Sequence, residues 1–440
     1  MFLLNKKWWV QLILANQAIL VNASSLVGTL VVTSGLGFAY WWVVARQFEP
    51  AEAGMAAAII SAMLLLGTIG MMGMGTLMIG ELSRHPQLIV SLITTALIIA
   101  GGSSIVLGLG FALVAGYIST DFALLTANWS YLLLFTVGVM VTGITLVLDQ
   151  ALLGLLRGSW QLWRNAVFAT SKLLLLWPAA YYFYTSGAMA IYATWLAGNL
   201  LSLAFMVYLV GRRRLAKADY RPRWQVFRSL RNMAMAHHVL NLSLQTVQFA
   251  MPVIVTVLLS PEVNASFYVA WLIASSLFIV PTSLTQALYA VSAANVSLLA
   301  QKIRFTLRAS LLGVMAAGLA ILVTADFVLN FFDPTYALTA APSLRLLLLA
   351  AFPIIIRVHY VAICQIKRQL KHAATVFLMA SVLELTLAIV GALVGGLIGL
   401  TVGWVVATYI QGAAMLPTVW RVANELDDEL PTMVGKAMGD

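Results

Sequence analysis

The chain reads as long apolar runs broken by short polar stretches. Runs near 20–45, 52–80, 88–118, 131–156, 166–185, 188–210, 237–259, 265–290, 309–332, 343–366, 373–394 and 397–420 stand out. Each reaches the roughly 20 residues that an α-helix needs to cross the hydrocarbon layer. Their apolar positions are continuous and show no alternation with a period of two, which argues against barrel strands. Lipid offers the backbone no hydrogen-bond partner, so helices are the remaining way across. The pattern predicts an all-α polytopic membrane protein of about 12 transmembrane helices.

Composition sharpens this reading. Hydrophobic residues make up 62% of the 440 and charged residues 9%, against roughly a quarter charged in soluble domains. The formal net charge of +10 asks for no nucleic acid, because the basic residues fall in alternate loops: Lys6, Lys7, Arg84, Arg157, Arg164, Lys172 (just inside a helix start), Arg212 to Arg214, Lys302, Arg304, Lys367 and Arg421 among them. Arg46, Arg345 and Arg357 lie elsewhere, and the opposite loops are short and acidic, with Glu49, Glu52, Asp121, Glu262, Asp326 and Asp333. The positive-inside rule then places both termini in the cytoplasm and requires an even number of spans. Lys6 and Lys7 before an apolar run resemble a signal peptide, but cleavage would invert those loops, so an uncleaved N-terminus is expected. The single cysteine, Cys364, sits in an apolar run and reads as a small buried hydrophobe.

The layout divides into residues 1–210 and 237–420, joined by a basic segment at 211–236 and followed by a cytoplasmic tail at 421–440. The segment is either an amphipathic helix on the anionic membrane surface or an ordinary basic loop. Glu49-Pro50 heads the second run and Ser260-Pro261 the eighth; Val167-Phe168 and Val376-Phe377 occupy matching places in the fifth and eleventh. Both offsets are about 210 residues. Six spans per half keep the same orientation, which gives a parallel repeat of two six-helix lobes about an axis along the membrane normal.

Polar groups in lipid are costly and turn toward the bundle or a watery cavity. Asn22, Ser25, Thr29 and Thr33 make one stripe down the first span; His238, Asn241, Gln245 and Gln248 make one down the seventh, before Pro252. The two stripes either line a shared central cavity or bond helix to helix in a packed bundle. Asp149 with Lys172, and Arg357 with Glu384, fall at similar depths on neighbouring helices. They read as one ion pair per half, with Arg357 also a candidate anion contact and Glu384 a candidate proton site. Arg46 and Arg345 end the first and tenth spans as solvated rim charges or as a phosphate-binding rim. No GxxxxGK[ST] loop, HExxH or CxxC occurs, so no ATP-driven motor or cofactor is indicated. The short acidic loops leave little room for an enzyme's active site.

The stretches SSLVGTLVVTSGLGFAYWWVVARQFEPAEAGMAAAIISA (Ser24 to Ala62) and DQALLGLLRGSWQLWRNAVFATSKLLLL (Asp149 to Leu176) resemble polysaccharide exporters, including O-antigen flippases, of the multidrug/oligosaccharidyl-lipid/polysaccharide flippase superfamily. That resemblance implies two lobes around a cavity lined by spans one, two, seven and eight, in a bacterial cytoplasmic (inner) membrane. It implies a substrate of oligosaccharide on undecaprenyl pyrophosphate, moved from inner to outer leaflet, with a proton or sodium gradient as driving force. Few charges lie on the four lining spans, which departs from cation-rich relatives. Arg357, then Arg46 or Arg345, would meet the pyrophosphate. A drug/cation antiporter of the multidrug and toxin extrusion type is the alternative, and it would require an acidic cavity. A membrane glycan polymerase is a third reading.

Overall fold

A computed structural model describes residues 34–182, 187–211, 220–292, 299–367 and 369–424. The described chain is almost wholly helical. Its helices are α1 (34–47), α2 (Pro50–Gly70), α3 (Met74–Arg84), α4 (Ile89–Ile118), α5 (Trp129–Gly154), α6 (Gly158–Tyr182), α7 (Gly187–Val210), α8 (Trp224–Leu258), α9 (Pro261–Ser292), α10 (Leu299–Phe332), α11 (Pro334–Leu349), α12 (Ala351–Ile366) and α13 (Leu370–Asn424). Among the described residues eight helices are individually long and apolar enough to cross a bilayer, and the pair α11–α12, bent by 44°, makes a ninth. α13 is two spans. Gly395 and Gly396 leave helical geometry, the latter at φ 57°, a region that glycine enters without steric penalty. Gly391 packs on Gly399 across the resulting hairpin. With α1 and α6 as the first and fifth spans, the observed order follows the apolar runs. The protein is a polytopic all-α membrane protein.

The second run is broken rather than continuous. Met72 and Gly73 have φ of 48° and 74°, which separates α2 from α3. Gly73 is required there twice over: its φ is left-handed, and a Cβ would strike the Ala234 carbonyl and the His238 side chain of α8. The basic segment differs as well. Residues 212–219 lie outside the described residues, but from Trp224 the chain is already α8, continuous through Pro252 to Leu258. The latter part of 211–236 is therefore an extension of the seventh span and not a separate surface helix.

Helices α2, α4, α5, α6 and α7 pack on one another, as do α8 to α13, and the two groups meet where α2 and α3 face α8 and α9. α4 and α10 leave most of their apolar side chains exposed, including Val106 and Val323. This is the surface expected of helices whose solvent is lipid. The acidic residues Glu49, Glu52, Asp121, Glu262, Asp326 and Asp333 gather at one end of the bundle, and Arg157, Arg223, Lys302, Arg304, Lys367 and Arg421 at the other.

At the acidic end the two groups are closed on each other. Asn264 Nδ2 donates to the Gly54 carbonyl at 2.8 Å. Trp41 lies on Tyr268 with ring centroids 4.5 Å apart. Trp42 Nε1 and Arg46 Nη2 both donate to the Phe331 carbonyl at 2.9 Å.

Candidate functional site

The polar cavity lies within the second group of helices. It holds about 180 Å³ and is walled by Ser243, Gln248, Trp271, Ser275, Thr282, Arg357, Phe377, Glu384 and Trp404, with apolar side chains between them. α8 supplies Ser243 and Gln248, α9 Trp271, Ser275 and Thr282, α12 Arg357, and the two arms of α13 Glu384 and Trp404.

Arg357 Nη2 and Glu384 Oε1 are 2.9 Å apart, with side chains 13% and 2% exposed. The expected pairing of these two residues is observed. Glu384 is held from the far side as well: Trp404 Nε1 donates to its Oε2 at 2.7 Å and Gln411 Nε2 to its Oε1 at 3.0 Å. A buried carboxylate tolerates such a site only when charge and hydrogen bonds are both met, and here three donors meet them. Trp404 in turn packs edge-on to Trp271 at 4.8 Å, and the Arg357 guanidinium lies over the Phe377 ring at 5.6 Å. The wall thus offers indole faces, one amide, hydroxyls and a cation.

The polar stripe of the seventh span is divided among different surroundings. Gln248 lines the cavity. Asn241 Nδ2 donates to Thr76 Oγ1 of α3 at 2.6 Å, across the two groups. His238 is buried against Gly73, and its Nδ1 has no hydrogen-bond partner among the described residues. Gln245 is half-buried and does not line the cavity. Asn22, Ser25, Thr29 and Thr33 lie outside the described residues. Arg345 pairs with Asp326 at 2.6 Å, with both side chains exposed, and Arg46 is spent on the Phe331 carbonyl and the Trp42 ring, 5.9 Å away. Neither reaches the cavity; both are rim charges.

The pairing of Asp149 with Lys172 is overturned. Asp149 takes a two-pronged contact from Arg164, Nε to Oδ1 at 2.6 Å and Nη2 to Oδ2 at 2.5 Å. The reason is local. α6 begins at Gly158, eight residues before the expected start at 166, so the turn is short and Arg164 already sits opposite Asp149. The guanidinium also matches a carboxylate in a way that an ammonium cannot. Lys172, two turns further on and 5% exposed, is enclosed by rings instead: its Nζ lies 3.7 Å from the Trp195 centroid, 4.7 Å from Tyr40 and 4.8 Å from Phe168. Replacing Arg164 with alanine leaves a buried carboxylate without its cation, and breaking such a pair costs about 3–5 kcal/mol. Arg164→Ala is expected to lower the thermal midpoint of the detergent-solubilised protein sharply, while Arg164→Lys restores part of it.

Trp271, Trp404 and Gln411 were not found from the sequence. One signal was available: Phe168 and Trp195 recur as Phe377 and Trp404 at a common offset of 209 residues.

A second cleft, of about 630 Å³, opens at the acidic end, where Glu52, Asp121, Tyr131, Thr256, Pro261 and Glu262 line it.

The bundle is similar in fold to solved transporter structures. The inward-facing conformation of a multidrug resistance MATE family transporter of the MOP superfamily superposes with a TM-score of 0.70 over 93% of this chain and 99% of that chain, at 14% identity. The fold is that of the MATE transporters. An outward-facing conformation of such a transporter superposes at 0.62, over 93% and 96% of the two chains and again at 14% identity. A MOP superfamily transporter from Pyrococcus furiosus Vc1, described as having a binding pocket of reverse polarity, superposes at 0.63 over 93% and 96%, at 13% identity. No family model matches the sequence, and no curated protein matches it.

Proposed function

We propose that this MATE-fold chain moves a lipid-linked oligosaccharide, carried on undecaprenyl pyrophosphate, from the inner to the outer leaflet by alternating access. The basic end of the bundle then faces the cytoplasm, and the two lobes rock against each other where α2 and α3 meet α8 and α9. The observation that carries the reading is the state of the cavity's charge. Among the described residues its one carboxylate, Glu384, is already held by Arg357, Trp404 and Gln411, so none of the described acidic groups on the wall is left to receive an organic cation. What remains on the wall suits a glycan: indole faces from Trp271 and Trp404, the Gln248 amide, and the Ser275 and Thr282 hydroxyls. The Arg357 fork suits the pyrophosphate.

A second reading, a multidrug antiporter driven by an ion gradient, is favoured by the transporters that share the fold, two structures of which are described as a multidrug resistance MATE family transporter. Fold alone does not carry substrate, but this alternative is concrete and one experiment separates the two. A strain lacking the gene is followed for undecaprenyl-linked sugars on each leaflet and, in parallel, for ethidium efflux. The flippase reading expects the sugars to build up on the inner leaflet, with efflux unchanged, and expects Arg357→Ala to fail to complement while remaining in the membrane. Lost efflux with normal surface glycan overturns it in favour of the antiporter.

A further inference from the structure

The cleft at the acidic end is built by both groups of helices and shares no lining residue with the Arg357–Glu384 cavity. Glu52 of α2 and Asp121 of the turn between α4 and α5 come from the first group; Thr256 of α8 and Glu262 of α9 come from the second. Three carboxylates line it, and among the described residues no lysine, arginine or histidine does. Glu52 and Glu262 stand in the first turns of α2 and α9, where the helix dipole favours negative charge. That accounts for two acids at helix starts, but not for how Glu52 is held. Its carboxylate lies against Gly187, the first residue of α7, where a Cβ would collide with Oε1. Its Oε2 is buried and has no hydrogen-bond partner among the described residues. Thr256 is in the same condition: it is 1% exposed, lines the cleft, and its hydroxyl has no partner among the described residues. A buried polar atom left unmet costs about 1–3 kcal/mol. Two such atoms, one from each group of helices, thus belong to the wall of one acidic cleft.

We propose that this cleft binds a linear polyamine, and that the bound amine ties the two groups of helices together at the acidic end. An ammonium carries three donors and no acceptor, which is what an unmet carboxylate oxygen and an unmet hydroxyl require. A metal ion fits less well. Hard cations need several oxygen ligands within about 2.6 Å of one point, and among the described residues no three carboxylate, imidazole or thiol groups converge in that way. The acids are instead spread around about 630 Å³, and Met55, Leu124, Val257 and Leu259 belong to the same wall. Separated charges on a partly apolar wall match ammonium groups on methylene spacers, whose stems lie on apolar surface while their heads meet the carboxylates. The ligating groups come from both sides of the closure, so they are brought together only when α2 meets α9. An amine that prefers this arrangement shifts the molecule toward it by its differential affinity. The cleft lies outside the cavity offered to the glycan, so the amine site stands whether or not the flippase reading does.

The test uses the purified full chain in detergent, titrated calorimetrically at neutral pH with spermidine, butylamine and calcium chloride at matched ionic strength. Spermidine is expected to bind at least about tenfold more tightly than either of the others. Glu52→Gln is expected to weaken spermidine by about tenfold, and Thr256→Val, which changes no charge, by about threefold. Asp326→Asn removes an exposed carboxylate at the same end but outside the cleft and makes the same change in net charge as Glu52→Gln. It is expected to weaken binding by less than about twofold. Gly54→Leu keeps every lining carboxylate but forces α2 away from α9, and it is expected to lose about tenfold or more. Calcium binding as tightly as spermidine overturns the proposal in favour of a metal site. Equal weakening by Asp326→Asn and Glu52→Gln overturns it in favour of a diffuse acidic surface. Unchanged affinity in Gly54→Leu overturns the tie between the two groups. The comparison of the three cations on the wild type decides the ligand class even if a variant fails to fold.

Discussion

Gly54→Leu is expected to hold the acidic end open and abolish transport. In the closed arrangement a Cβ at residue 54 would lie on the Pro261 carbonyl, with the Pro261 carbonyl carbon at 2.7 Å and the Ala265 nitrogen at 2.8 Å. These are backbone atoms of a helix start and have no rotamer through which to yield. Overpacking in a core costs about 1–3 kcal/mol when side chains can adjust; against backbone the two helices must separate. Separation also breaks the hydrogen bond from Asn264 to the Gly54 carbonyl. The conformational balance then moves away from the closed state by enough to depopulate it, since a factor of ten needs only about 1.4 kcal/mol. The measurement is labelling of a cysteine at Thr256, which is buried and lines the cleft at that end, by a membrane-impermeant maleimide. Cys364 is buried and is replaced with serine for this purpose. Labelling of Thr256→Cys is expected to be slow in the parent and at least about tenfold faster with Gly54→Leu. Equal rates would mean that the α2–α9 contact does not govern access.

The fold was legible because lipid leaves few choices. Continuous apolar runs of sufficient length had to be helices, and the order of α1 to α13 follows those runs. What local sequence could not supply was the place where backbone leaves the helix inside the second apolar run: Met72-Gly73 breaks that span while the apolar pattern continues through it. The turn at Gly395-Gly396, by contrast, falls between the runs expected at 373–394 and 397–420. Side-chain partners were legible only where distance along the helix was reckoned correctly. Arg357 with Glu384 was within reach. Asp149 was matched to the wrong cation because an eight-residue error in the start of α6 is two turns, roughly 12 Å along the axis. The stripe on α8 was real as a stripe, yet a stripe says only that a face points inward. Whether that face meets a cavity, as at Gln248, or another helix, as at Asn241, depends on α3 and α13, which lie more than a hundred residues away in sequence.

Lys172→Glu is expected to be the most damaging single charge change in the first group of helices, and Lys172→Met close to neutral in stability. The ammonium is 95% buried and its recorded contacts are the faces of Tyr40, Phe168 and Trp195, at 3.7 to 4.8 Å. Ring faces carry the negative lobe of the quadrupole, and a desolvated cation gains about 2 kcal/mol from a good one. That gain offsets part of the cost of burying the charge without a carboxylate. Methionine retains most of the apolar stem and makes favourable sulfur–ring contacts, so it loses the attraction and the burial penalty together. Glutamate reverses the sign. Its carboxylate faces the same three negative surfaces, and the Tyr40 hydroxyl is already engaged with Thr194 and the Ile191 carbonyl. Among the described residues a carboxylate there has no cation recorded beside it, a loss on the order of 3–5 kcal/mol when compared with a paired site. Thermal unfolding in detergent, read by the loss of monodisperse protein, is expected to place Lys172→Met within a few degrees of wild type and Lys172→Glu far below it. The consequence reaches past Lys172 itself, because Trp41, next to Tyr40, is the residue that grips Tyr268 across the two groups. Whatever loosens the cage loosens the hold of α1 on α9, and a large fall in stability for Lys172→Met would show that the charge, and not the packing of the three rings, keeps α1 in place.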